Sequence, residues 1–168
     1  MSKAFTKDEG EGSHEAPALP LGPPLPAGAR NYVTPAGAAA LRARLGEAQL
    51  ALDQARAAGD ASRAQLAQQR LEFFAARMEA MEEVAPAAAP NPDGPVRFGA
   101  RVLTRDADGQ ERRIQIVGVD EADPAHGLVS WTAPLARALI GHLTGDEVQV
   151  QTPQGGVTLE ILGMSYEE

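Results

Sequence analysis

The sequence predicts an α+β protein in two folded parts, an antiparallel helical hairpin followed by a small antiparallel sheet packed on one helix. Three observations carry that prediction. Leu41, Leu45, Ala48, Leu52 and Ala55 recur at spacings of four, three, four and three, the a/d stripe of a coiled coil. Ala67, Leu71, Phe74, Met78 and Met81 repeat the stripe beyond Gly59-Asp60. After Pro95 the composition turns from Ala, Leu, Gln and Arg to Val, Ile, Thr and Gly, alternating about turn signals.

Taken in order, residues 1–30 include Pro17 to Ala29, PALPLGPPLPAGA, which has neither helical nor strand period and reads as a disordered or polyproline-like tail. The hairpin occupies residues 31–84. Thr34 is placed to cap its first arm, with Pro35 at the first helical position, where a missing N–H costs nothing. Gly59 suits the left-handed residue after a helix, and Asp60 or Ser62 can cap the second arm. Residues 85–95, APAAAPNPDGP, form a linker to a domain over 96–168. There VRFGARVLT and ERRIQIVGV flank Asp108-Gly109 as a β-hairpin, and LVSW reads as a short strand. TAPLARALIG reads as a brief helix with Thr132 or Ala133 at its cap and Gly141 at its end, and DEVQVQT and VTLEILGM form a second hairpin about PQGG.

Composition excludes several classes of function. The chain of 168 residues has no cysteine, which rules out disulfides and thiolate metal sites. No apolar run approaches a membrane span and MSKAFTKDEGEG lacks an apolar signal core, so a cytoplasmic protein is expected, most simply a monomer. A net charge of -8 argues against non-specific binding to duplex nucleic acid and for a protein partner. That charge is uneven: residues 96–168 carry six arginines against eleven acids, whereas 31–84 carry six against seven. His14, His126 and His142 show no metal-ligand spacing, and no phosphate-binding or nucleophile motif is present.

Residues Val96–Tyr166 resemble the C-terminal domain of the bacterial GreA/GreB family of transcript cleavage factors. The resemblance is carried, in order, by VRFGA at Val96–Ala100, IVGVDEADP at Ile116–Pro124, APLARALIG at Ala133–Gly141, GDEV at Gly145–Val148 and TPQGG at Thr152–Gly156. MSKAFTK and NYVTPAG at Asn31–Gly37 are similar to the GreB type. The resemblance implies an FKBP-like C-terminal fold that docks at the secondary channel of bacterial RNA polymerase, against a coiled coil of the largest subunit. Trp131, Thr132, Ala133, Pro134 and Arg137 lie where that docking surface falls. The hairpin then points toward the active centre, where cleavage-competent members carry a G-D-x-x-E-N tip whose two acids help hold Mg²⁺.

Here the tip reads Gly59-Asp60-Ala61-Ser62-Arg63-Ala64: Asp60 matches the first acid, and Arg63 stands in place of the second. Set against typical members, each arm is also shorter by roughly a heptad or more, which removes ~10–15 Å of reach. Asp60 therefore has two readings, a helix cap or a lone carboxylate sharing Mg²⁺ with the polymerase. No intrinsic metal site or cofactor is expected. Arg56, Arg63, Arg70 and Arg77 fall seven apart, and read either as a stripe facing the channel or the nascent RNA 3′ end, or as a solvated flank pairing with Glu47, Asp53, Glu72 and Glu79. Pro134 is either a docking residue or simply a first helical residue, and Trp131 either interface or core. Asp120, Glu121 and Asp123, with Pro124, read as an acidic turn rather than a cation site. The expected function is modulation of elongation without transcript cleavage and without intrinsic enzyme activity. The alternatives are a weak cleavage factor using Asp60, an FKBP-like peptidyl-prolyl isomerase built around Phe98, Trp131 and Tyr166, and a coiled-coil adaptor for another partner.

Overall fold

A computed structural model describes residues 21–85, 93–152 and 155–166. Most of the expected linker, and residues 1–20 of the expected tail, lie outside these. A short strand β1 (Asn31–Val33) leads into helix α1 (Pro35–Ala57); α2 (Ala61–Glu79) returns and leads into β2 (Met81–Glu83). β1 and β2 pair in parallel, Tyr32 opposite Glu82, so the two open ends of the hairpin are tied together. Thr34 caps α1 as the sequence predicts: it is extended, and its hydroxyl accepts from Gly37 N at 3.0 Å. The a/d stripe faces inward, with Leu41, Ala48, Leu52, Ala55 and Ala67 buried. Met81, expected to continue the stripe, instead lies in β2. At 1.5 Å per residue α1 is about 35 Å long.

The sheet follows in the order β5-β4-β3-β7-β6, with β3 Arg101–Asp106, β4 Glu111–Val117, β5 Leu128–Ser130, β6 Glu147–Thr152 and β7 Gly155–Ser165. It is not wholly antiparallel as predicted, because β5 pairs with β4 in parallel. The reason lies in the connection: two single 3₁₀ turns, Val119–Glu121 and Pro124–His126, fold the chain back so that it re-enters beside β4 in the same direction. Gly127 makes the last bend possible, with φ +75° and Arg113 O 2.7 Å from where a Cβ would stand.

Two boundaries also differ. β3 begins at Arg101 rather than Val96, because Val96 bonds to the loop after the domain's helix, donating to His142 O at 2.8 Å and accepting from Gly141 N at 2.9 Å. Trp131 falls in the turn after β5, not within the strand. The helix α3 (Pro134–Leu139) closes one face of the sheet. Its Ala136 and Leu139 pack with Val102, Ile114, Ile116, Val148, Val150 and Ile161, the alternate residues of four strands. Burial of each large aliphatic side chain there contributes ~1.5–3 kcal/mol.

Candidate functional site

At the far end of the hairpin Gly59 is left-handed, φ +68°, and turns the chain into α2. Asp60 then serves as the cap of α2: its Oδ1 accepts from Arg63 N at 3.0 Å. Its other oxygen lies 3.4 Å from Arg63 Nε. The tip carboxylate is therefore engaged on both sides, by a backbone N–H and by a guanidinium. A divalent cation needs hard oxygen ligands and is repelled by an adjacent guanidinium, so this tip does not fit Mg²⁺ as a two-acid tip would. Among the described residues no group of three His, Asp or Glu side chains converges to hold a metal.

The arginines expected to form one stripe separate into different roles. Arg56 reaches across the hairpin to Gln68 Oε1 at 3.2 Å, Arg63 pairs with Asp60, and Arg70 is exposed beside the groove that Ala51, Ala55, Leu66 and Ala67 line near the tip. Arg77 leaves the stripe altogether, since its side chain is 5% exposed and pairs with Asp120 of the C-terminal domain. The expected pairing with Glu47, Asp53, Glu72 and Glu79 is not the arrangement seen. Asp53 and Glu72 instead accept from Gln49 and Gln68, one helical turn away.

The base of the hairpin is joined to the C-terminal domain by side chains that the sequence reading assigned to an ordinary turn. Glu121 accepts from Thr34 N at 3.0 Å, from Gly118 N at 3.0 Å and from the Thr34 hydroxyl. Its carboxylate thus sits at the positive end of α1. Asp120 accepts from Asn31 Nδ2 at 3.0 Å and pairs with Arg77. Only Asp123 behaves as expected, capping its own turn at Ala125 N and bonding His126 Nδ1 at 2.7 Å. The hydrogen bond from His126 holds the Asp123 carboxyl below the usual aspartate range. The signal that could have found this joint was present, because NYVTPAG and GVDEADP are the two segments that meet in it.

Of the residues expected to dock, Pro134 and Arg137 are exposed on α3. Thr132 and Ala133 are half-buried. The Thr132 hydroxyl bonds Ser130 Oγ at 2.8 Å, and Ala133 precedes α3 without a side-chain cap. Trp131 packs edge-on against Tyr32 of β1, ring centroids 5.5 Å apart, and Phe98 meets the same Tyr32 at 6.2 Å. The Tyr166 hydroxyl accepts from Arg97 N at 3.0 Å, and Phe98, Trp131 and Tyr166 all pack against the buried cluster of the sheet.

A family model described as "Transcription elongation factor, GreA/GreB, C-term" matches residues 91–166. The transcription elongation factor GreB of Neisseria meningitidis serogroup A is 37% identical over 155 residues, covering 82% of this chain and 94% of that protein. GreA of Methylobacterium nodulans is 53% identical over 72 residues, 42% of this chain and 46% of its own length. The solved structure of a GreA/GreB factor from Nitrosomonas europaea aligns with 82% of this chain and all of that chain, at 21% identity and a TM-score of 0.40. With a relative this similar along nearly its whole length, the chain belongs to the GreA/GreB family of transcription elongation factors.

Proposed function

We propose that this chain binds bacterial RNA polymerase at the secondary channel and modulates elongation without stimulating transcript cleavage. The observation that carries this reading is the tip: Asp60 caps α2 and faces Arg63, and the position of a second acid is held by that arginine. Assistance to phosphodiester cleavage demands groups placed within about an ångström of the reacting atoms. One engaged carboxylate on a hairpin about 35 Å long supports occupancy of the channel rather than chemistry in it. Family membership supports the polymerase as partner. The exposed Pro134 and Arg137 on α3 are the residues proposed to meet the largest-subunit coiled coil.

The test is to add the purified protein to backtracked elongation complexes. The expected result is binding to core polymerase and an altered rate of elongation or pausing, with no release of short 3′ RNA fragments. Fragment release that Asp60→Asn abolishes would overturn this reading in favour of a weak cleavage factor. Absence of binding to core polymerase would overturn both.

A further inference from the structure

Arg77 touches three parts of the chain at once. Its Nε faces Asp120 of the C-terminal domain at 3.5 Å, its guanidinium lies over the Phe73 ring of α2 at 4.8 Å, and its Nη2 donates to the carbonyl of Pro23. Pro23 belongs to the segment Leu21–Arg30, which the sequence reads as part of a disordered or polyproline-like tail. The structure instead lays this segment against the joint. Gly22, at φ +133°, lies beside the joint: a Cβ there would be in ordinary contact distance of Phe73 Cζ, 3.5 Å, and Asp120 Oδ1, 3.9 Å. At its other end Arg30 pairs with Glu82 of β2 at 2.6 Å.

We propose that Leu21–Arg30 is a strap that locks the coiled coil in one direction relative to the C-terminal domain, with Arg77 as pivot and Asp120 and Glu121 as positioning residues. The physical case rests on what a buried ion pair does. It adds little net stability over well-packed apolar side chains of similar size, but it heavily penalises arrangements that keep both charges buried and apart. A small slip of the hairpin on the domain would do that to Arg77 and Asp120. It would also strip Glu121 from Thr34 N, leaving the first turn of α1 without its external acceptor. Asn31, itself fully buried, adds a second polar contact to Asp120 in the same layer. The strap meets this layer through the Pro23 carbonyl and Gly22, and is tied to β2 by Arg30. A lever about 35 Å long converts a small rotation at its base into a large displacement at its tip, so the joint governs where Asp60 and Arg63 arrive.

The absence of cysteine makes the test direct. Spin labels at Ser62→Cys, beside the tip, and Gln149→Cys, on β6, report the distance between the two parts in the free full-length protein by pulsed electron resonance. Because no polymerase is present, the result stands apart from the functional reading above. The expected parent has one narrow distance population. Gly22→Val, which forces a β-branched residue to φ +133° and displaces the strap, is expected to broaden or split it. Arg77→Met/Asp120→Leu is expected to do the same while losing less stability than Asp120→Ala alone, because no charge is left buried without its partner. A single narrow population in Gly22→Val would overturn the strap, and one in the double variant would overturn the pivot. Should the double variant not fold, Gly22→Val still decides.

Discussion

Arg77 Nε and Asp120 Oδ1 meet at 3.5 Å with their side chains only 5% and 9% exposed, which makes this pair the buried electrostatic link between hairpin and C-terminal domain. Removing one partner leaves an uncompensated charge in a closed layer. Asp120→Ala is therefore expected to destabilise the protein by ~3–5 kcal/mol in urea titration. Removing Glu82 from the exposed Arg30–Glu82 pair is expected to cost less than about 1 kcal/mol, since water and salt screen it. Equal losses for the two substitutions would contradict the buried-pair account.

Gly37 and Glu121 are matched by shape. A Cβ on Gly37 would overlap the Glu121 carboxyl group, whose oxygens are fixed by Thr34 and Gly118. Gly37→Ala is expected to cost ~1–3 kcal/mol by overpacking, although alanine is the better helix former. Adding Glu121→Ala should recover part of that loss. A double-mutant cycle measures the recovery, and strict additivity would show that the two residues are not matched.

At the tip, the cap and the ion pair separate experimentally. Asp60→Ala removes the acceptor for Arg63 N and is expected to cost about 1 kcal/mol, whereas Asp60→Ser keeps most of it. Arg63→Glu leaves that backbone bond intact and places an acid in the first turn of α2, so its expected change in stability is within ~0.5 kcal/mol. Thermal unfolding of the three variants ranks them. A large loss in Arg63→Glu would mean that the guanidinium, not the cap, holds the turn.

Two exposed aspartates set an acid limb of stability. The hydrogen bond with His126 lowers Asp123, and the N–H of Leu143 lowers Asp146. Folding favours both in their ionised form, so their contribution is present above the ordinary aspartate range near pH 4 and is lost as pH falls through the lower folded values. Asp123→Asn and Asp146→Asn are expected to be less stable than the parent at pH 6–7 and to converge with it in strong acid. A gap that persists unchanged in acid would assign the effect to something other than charge.

Much of the fold was legible because its signals are short-range. Thr34-Pro35, Gly59-Asp60 and Asp108-Gly109 fix where the chain turns, and the a/d stripe says which side of each arm is buried. The parallel edge strand was not legible, because β5 has only three residues and its direction depends on how two 3₁₀ turns fold back. The tip was legible as chemistry, since Asp60 and Arg63 lie within one helical turn. The joint was not: Asn31 and Asp120 are 89 positions apart, and an acidic segment beside proline carries the same local signal whether it faces water or a buried arginine.

The sequence by itself determined the two parts, with their caps and turns, through periodicities and neighbours a few residues apart, and its motifs carried the resemblance to a family whose tip pattern implies a second acid that this chain lacks. Only the tertiary structure decided that Arg77 leaves the coiled-coil flank, that Asp120 and Glu121 bind the hairpin base, and that the carbonyl of Pro23 accepts from Arg77. Those choices rest on which buried donors find which acceptors once distant segments share one desolvated layer. Spacing along a chain does not encode that pairing.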